Sequence, residues 1–289
     1  MRKTPQSNLV NSRPLVVKTA TTSFSVAAFF IDLDGTTLDR FNKKISKQNL
    51  QALQAKNQHY PVIISTGRPF SQTVKSLMQA IGSPYAICQN GAVIGNHRGE
   101  VLINIPLAKK QVEKLVQFCL ENHLAILINS QFKIFSNQKL WFWFKPFFWG
   151  KFKKLNQLNL DHYEQINKVV LMGQNPDKMH AHFEVLLAKF PDVSIKTSGH
   201  DRIIEITHKE ATKGHGAILV ADLLKIDVKK TVHIGDSGND SSTANIVGAL
   251  IAVANASSKL LEVATHIGPS YKNGGLAKIL SGDFREIKR

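Results

Sequence analysis

The chain has 289 residues, 43% of them hydrophobic, which is enough for a sizeable core and more length than one small domain needs. A formal charge of +16 suits anionic partners, phosphorylated metabolites and nucleic acid among them, and equally a lysine-rich solvated surface. The two cysteines, Cys88 and Cys119, lack metal-ligand spacing and lie in apolar runs, which excludes a disulfide framework and fits a reducing, cytoplasmic setting.

Residues 1–25 carry Arg2, Lys3, Arg13 and Lys18, many Ser and Thr, and no acid. No apolar face recurs there at helical spacing, so a flexible basic tail is expected rather than a transit peptide. Residues 27–31 then read as a buried strand that delivers Asp32-Leu33-Asp34-Gly35-Thr36-Thr37-Leu38. Two carboxylates at the end of a buried strand would be stranded in low dielectric unless a cation arrives, and this suits the carboxyl end of a parallel sheet. The alternative is that Asp34-Gly35 is a simple hairpin turn. Ser46 can cap a helix through Leu50, Leu53 and Ala55, and residues 60–64 form a second strand ending in Ser65-Thr66-Gly67-Arg68-Pro69. Pro69 suits the first turn of a helix over 70–81, which would place Thr66 and Gly67 at a helix N-terminus able to hold an anion. A capping Thr and a turn Gly are the plainer alternative. Residues 85–88 give a third strand, closing on Gln89-Asn90-Gly91-Ala92.

From there the texture changes. Gly95-Asn96-His97-Arg98-Gly99 lies between two short apolar runs as a hairpin signal, followed by a helix over 108–122 and strands near 124–128 and 131–135. A strand at 169–172, a helix at 176–190 and strands at 193–197 and 203–207 follow. Hairpins and helices inside a β/α chain predict an inserted α+β domain over 90–202, within a core formed by 26–89 and 203–289. The alternation resumes at Thr212-Lys213-Gly214, a helix start. A strand at 231–234 then leads into Gly235-Asp236-Ser237-Gly238-Asn239-Asp240, a second acidic turn ahead of another helix. The densest apolar run, 141–149, is broken by Lys145 and Pro146, so no membrane span is expected.

Asp32, Asp34, Asp236, Asp240, Thr66 and Lys213 each adjoin a predicted strand end or helix start, and phosphate chemistry uses such a set. An aspartate can attack phosphorus, a second acid can protonate the leaving oxygen, hard oxygen ligands hold Mg²⁺, and a lysine with a hydroxyl stabilises the transferring group. Phosphate monoesters need accelerations approaching ~10²¹, which calls for a multi-part electrostatic site. In this order the four segments resemble the haloacid dehalogenase superfamily of phosphohydrolases, and the insertion after the third strand looks like its Cof-type branch with a C2 (type IIB) cap.

The resemblance spans roughly residues 29–280. It implies an α/β fold, a Rossmann-like parallel sheet core with an inserted α+β cap domain, and a Mg²⁺-dependent phosphatase of small organic phosphates, sugar or cofactor phosphates. It implies Asp32 as nucleophile and Asp34 as general acid and then base. Gly35, Thr66, Gly67 and Lys213 would bind phosphate, with Arg68 and Asn90 at the substrate entrance. Mg²⁺ would sit on Asp32, the backbone carbonyl of Asp34, and Asp236, with Asn239 and Asp240 in support. The chain departs from that branch at His208 and Glu210, where Pro and Gly are usual, and at Ser241-Ser242-Thr243-Ala244, which lacks the customary Met. These changes bear on loop shape and substrate fit, because every reacting group is present.

Other signals read as ordinary structure. His180 and His182 point in different directions on the predicted helix and have no third ligand, which argues against a transition-metal site. His233 reads as a packed strand residue. Between Asn122 and Leu160 six lysines interleave with Trp141, Phe142, Trp143, Phe144, Phe147, Phe148, Trp149 and Phe152, without an acid. That stretch is expected to be cap core with a solvated lysine rim, so no specific nucleic-acid partner is expected. The competing functions are a phosphomutase of the same superfamily and a basic nucleic-acid or membrane-surface binder with an inactive core.

Overall fold

The structure, a computed structural model, describes residues 15–19, 23–39, 44–130, 134–137, 152–154, 165–198 and 201–288. Strands β1 (Val16–Lys18) and β2 (Ser23–Ser25) pair antiparallel. This corrects the expectation of a flexible tail for part of residues 1–25. Val17 is fully buried, the amide of Val26 donates to the Leu15 carbonyl at 3.0 Å, and His266 Nε2 contacts the Lys18 carbonyl at 2.8 Å. An apolar anchor and bonded backbone hold this segment to the core; residues 1–14 and 20–22 lie outside the described residues.

The next elements are β3 (Ala28–Ile31), α1 (Lys47–Asn57), β4 (Val62–Ser65), α2 (Gln72–Ile81), β5 (Tyr85–Cys88), β6 (Val93–Asn96) and β7 (Val101–Asn104). Ser46 caps α1 as expected, accepting from the Asn49 amide at 3.1 Å. Helix α2 begins two residues later than expected. Phe70 is drawn out of it and fully buried, its ring so close to Gly95 that a Cβ there would lie 2.2 Å from Cζ. Ser71 becomes the N-cap, and residues 66–71 form a loop.

The chain next supplies α3 (Lys109–Glu121), β8 (Ala125–Ser130), β9 (Ile134–Ser136), β10 (Phe152–Lys154), β11 (Ile166–Met172), α4 (Pro176–Lys189), β12 (Val193–Ser198) and β13 (Ile203–His208). It continues through α5 (Lys213–Leu224), β14 (Thr231–Gly235), β15 (Ala249–Val253), α6 (Ser258–Leu261), β16 (His266–Gly268), α7 (Gly275–Leu280) and β17 (Arg285–Glu286). The helix expected after Asp240 is only a 3₁₀ turn over Asp240–Thr243. There the Ser242 hydroxyl donates to the Asn239 carbonyl (2.8 Å) and the Thr243 hydroxyl to that of Asp240 (2.7 Å), local bonds that compete with an α-helical ladder.

A nine-stranded sheet runs β17-β16-β15-β14-β3-β4-β5-β6-β7 and is parallel from β16 through β5. Its middle strands are buried along their whole length, as continuous apolar strands covered on both faces must be. Strand β3 lies between β4, next in sequence, and β14, far along the chain, so the order reverses there and opens a crevice at the strands' carboxyl ends. The α/β core with its parallel sheet is thus as expected.

The second sheet runs β10-β9-β8-β11-β13-β12. One face buries Ile126, Ile128, Val169, Leu171, Ile204 and Ile206 in a common core with Val112, Leu115 and Cys119 of α3 and Met179 and Leu186 of α4. The sheet memberships shift the expected domain edges. β6 and β7, placed by the sequence in the insertion, extend the large sheet antiparallel from β5, because their hairpin pairs back at once. β13, placed in the core, pairs with β11 and β12 in the second sheet. The aromatic and basic stretch over 138–151 lies outside the described residues. Among the described residues no helix is long and apolar enough to cross a membrane.

Candidate active site

Strand β3 places Asp32 at its carboxyl end, where the Asp32 amide still donates across to the Ile234 carbonyl at 3.0 Å. The chain then folds tightly back. The Leu33 carbonyl accepts from the amides of Thr37 (2.9 Å) and Leu38 (2.7 Å), and the Thr37 hydroxyl donates to the Asp32 carbonyl at 2.6 Å. Asp34-Gly35 is therefore a turn, but it closes no hairpin, since both neighbours of β3 run parallel to it. Asn255 Nδ2 donates to the Gly35 carbonyl at 2.9 Å and ties the turn to the segment after β15.

Lys213 opens α5 behind Thr212, whose hydroxyl caps the helix by accepting from the His215 amide at 3.1 Å. Its side chain is fully buried, and Nζ donates to Asp32 Oδ1 at 2.6 Å and to Asp240 Oδ1 at 2.7 Å. A buried ammonium requires such partners. Asp240 in turn accepts from the amides of Asp236 (3.1 Å) and Ser237 (3.0 Å) through Oδ2, and His233 Nε2 lies 2.7 Å from its Oδ1. This close turn needs Gly235, where a Cβ would lie 2.2 Å from Asp240 Cγ.

Oxygen atoms of Asp32, Asp236 and Asp240 lie within 4.8 Å of one another, all three residues buried, and Lys213 is the cation bonded among them. The group is short of positive charge. Burial pushes Asp32 up to about 8, Asp240 and Asp236 add to the rise, and Lys213 only partly opposes it. Burial would raise Asp240 too, but the Lys213 ammonium and the His233 bond outweigh it and hold the carboxyl well below the usual range. For Lys213 burial favours the neutral amine, and the two carboxylates reverse that and raise it. Burial lowers His233 despite Asp240, so the ring is neutral and its Nε2–H donates. Hard oxygen donors with surplus negative charge fit a divalent cation such as Mg²⁺.

The other wall comes from the loop after β4. Thr66 is buried, its hydroxyl accepts from the Arg68 amide at 3.2 Å, and its carbonyl accepts from the Asn90 amide at 3.1 Å. Asn90 has φ +60°, and its Oδ1 accepts from Asn239 Nδ2 at 3.0 Å, joining this loop to the second acidic turn. With α2 starting at Gln72, Thr66 and Gly67 do not sit on a helix N-terminus, so that expected source of anion affinity is absent here. Arg68 instead grips Asp34, Nε to Oδ2 and Nη2 to Oδ1, at 2.7 Å each.

A cavity of about 150 Å³ is lined by Asp32, Asp34, Thr66, Gly67, Arg68, Asn90, Ser237 and Asn239, and by Lys168 and Glu205 of the second sheet. A groove of about 1000 Å³ among Lys229, Lys230, Asn245 and Glu286 is larger but contains none of these groups. The structure thus brings together the residues expected from the sequence; Lys213, Asp236 and Asp240 stand just behind the cavity wall and Gly35 on the adjoining turn. Sequence reasoning missed Ser237, Lys168 and Glu205. A lysine next to an otherwise apolar strand, with a glutamate in another, was the available signal. His180 and His182 do diverge, His180 toward Glu184 (3.9 Å) and His182 onto the Phe118 ring (5.7 Å).

Comparison with known proteins follows this geometry. The sequence model of a family described as haloacid dehalogenase-like hydrolases matches residues 29–280. The chain is 27% identical over 286 residues to the 5-amino-6-(5-phospho-D-ribitylamino)uracil phosphatase of Bacillus subtilis, covering 88% of this chain and 98% of that one. Among solved structures, a haloacid dehalogenase-like hydrolase from B. subtilis superposes with a TM-score of 0.76 at 21% identity, over 89% of this chain and 99% of the other. The subclass IIB sugar phosphatase BT4131 does so with a TM-score of 0.76 at 18% identity, over 89% and 98%.

Proposed function

The chain belongs to the haloacid dehalogenase-like hydrolases and is an enzyme of phosphatase type, and from that premise we propose that it hydrolyses small organic phosphate monoesters through an aspartyl-phosphate on Asp32. The observation that carries this reading is the buried Lys213 bridging Asp32 and Asp240 at one end of a cavity whose other walls hold Thr66 and Asp34. Lys213 occupies Oδ1 of Asp32 and leaves Oδ2 to attack. As the Oδ2–phosphorus bond forms and the ester bond breaks, Asp34 gives its proton to the leaving oxygen. Asp34 then takes a proton from water, the hydroxide attacks phosphorus, and inorganic phosphate and free Asp32 result. Lys213, the Thr66 hydroxyl and the amide of Gly67 serve the equatorial oxygens.

Asp32, Asp236 and the backbone carbonyl of Asp34 are the groups that would hold Mg²⁺, with Asn239 and Asp240 in support. Bound there, the ion would offset the charge of a phosphate dianion brought among carboxylates. Sugar or cofactor phosphates are the substrate class we favour, supported by the names of the two phosphatases above and by the small polar cavity. The second sheet acts as a cap that contributes Lys168 and Glu205 to substrate recognition, with Arg68 and Asn90 at the entrance. The purified protein should release phosphate from an aryl phosphate with Mg²⁺, and both EDTA and Asp32→Asn should abolish turnover while circular dichroism stays unchanged. Equal rates in chelator would overturn the metal assignment, and substantial turnover by Asp32→Asn would mean that water attacks directly.

A further inference from the structure

The mechanism above makes no use of His233, a polar ring fully buried in the middle of its strand. β14 is buried along its full length, and the histidine in its middle is fully buried with Nδ1 lacking a hydrogen-bond partner among the described residues. An orphaned polar atom in such a place costs about 1–3 kcal/mol, and an apolar side chain of similar size would avoid it. What the ring provides is one hydrogen bond, Nε2 to Asp240 Oδ1 at 2.7 Å.

That bond completes a set. A carboxylate has about four lone-pair sites, and Asp240 receives four donors: Lys213 Nζ and His233 Nε2 on Oδ1, the amides of Asp236 and Ser237 on Oδ2. We propose that His233 is a positioning residue that fills the last acceptor site of Asp240, keeping this carboxylate from ligating the cation and moderating its hold on Lys213. Asp240 lies close enough to Asp32 and Asp236 to join a metal site, but four donors already occupy its two oxygens. Because Lys213 and His233 share one oxygen, each weakens the other's bond to it, and Lys213 remains available to Asp32 and to a phosphate. The inference rests on the reading above, in which Asp32 and Asp236 hold the cation and Lys213 meets phosphate.

Two variants separate this role from simple packing. His233→Gln retains a side-chain N–H near the position of Nε2, while His233→Met fills similar space without a donor. The measurements are Mg²⁺ binding to the substrate-free protein by calorimetry and competitive inhibition by inorganic phosphate, beside kcat and KM for an aryl phosphate. In His233→Met, Mg²⁺ should bind about three- to tenfold more tightly, since a third carboxylate is released, and phosphate should bind weaker by a similar factor, the worth of one hydrogen bond. His233→Gln should restore both toward wild type. Changes in opposite directions are the signature, because a loosened site would weaken both ligands together. A folded His233→Met with both affinities unchanged, or both weakened, overturns the proposal, as does a folded His233→Gln that behaves like His233→Met. If His233→Met does not fold, His233→Asn, whose donor falls short of Asp240, takes its place under the same criteria. A wild-type protein inactive on every phosphate ester would instead count against the functional reading itself.

Discussion

Arg68 holds Asp34 by two parallel hydrogen bonds of 2.7 Å, although the Asp34 side chain is 38% exposed and the pair stands at the mouth of the cavity. Exposed ion pairs contribute only about 0–1 kcal/mol to stability, so this geometry serves orientation more than folding. It fixes the proposed acid at the cavity and must yield when Asp34 turns to the leaving group. Arg68→Lys removes the planar fork. It should shift the unfolding free energy by less than about 1 kcal/mol while lowering kcat/KM clearly. Unfolding in urea and steady-state kinetics on the same preparation check this, and a stability loss without a kinetic one would contradict it.

Removing Lys213 should act the other way, on both quantities. The ammonium is completely buried between Asp32 and Asp240, so Lys213→Met leaves buried carboxylates facing one another without their cation. Breaking a buried pair from one side costs about 3–5 kcal/mol. The variant should be inactive and less stable by that order in urea, and Mg²⁺ should recover part of the loss by binding the folded state alone. Metal-independent stability equal to wild type would show that the carboxylates carry protons instead.

His266 gives a pH dependence remote from the acidic cluster. Its ring is enclosed between the Lys18 carbonyl, Thr265 and Phe284, and burial lowers its pKa from 6.5, the Lys18 bond and Glu286 only partly opposing this. Below 6.5 the unfolded chain therefore binds more protons than the folded one. This contribution to stability is complete above pH 6.5 and is lost as the pH falls through the lowered folded value. His266→Gln should show a shallower decline of unfolding midpoint below that pH than wild type, with parallel curves above it. Parallel curves throughout would remove His266 as a source of acid sensitivity.

Asp32, Thr66 and Asp236 were legible because each follows a strand buried along its whole length, and such runs locate the carboxyl edge of a parallel sheet, while Lys213 was legible as a helix start behind its capping Thr212. Side chains that choose a partner far away in sequence were not. Phe70 leaves its expected helix for Gly95, and Ser242 and Thr243 turn back on the chain and replace the expected helix after Asp240. Lys168 was hidden by a bulge in β11: two steps along this strand, from Ile166 to Lys168, match one step along β8, from Ser130 to Asn129. Simple alternation puts Ile166 and Lys168 on one face. The extra residue lets Ile166 enter the core under α3 and α4 while Lys168 turns to the cavity.

That displaced lysine carries the last prediction. Lys168 is 3% exposed and paired with Glu205 on the neighbouring strand β13, and both line the cavity opposite the groups assigned to chemistry. If the second sheet recognises the substrate beyond its phosphate, the pair touches only what the phosphate carries. Glu205→Gln should then leave turnover of a small aryl phosphate nearly unchanged, while changing kcat/KM among sugar and cofactor phosphates, because a charged acceptor for hydroxyl groups becomes a neutral amide. Lys168→Met removes the buried partner of Glu205, and a larger loss of stability is expected, so the glutamate variant is the cleaner probe. A panel of phosphate esters assayed against both proteins with Mg²⁺ decides the matter. A uniform drop across the panel, aryl phosphate included, would place Glu205 in the reacting centre, and an unchanged preference would remove it from recognition altogether.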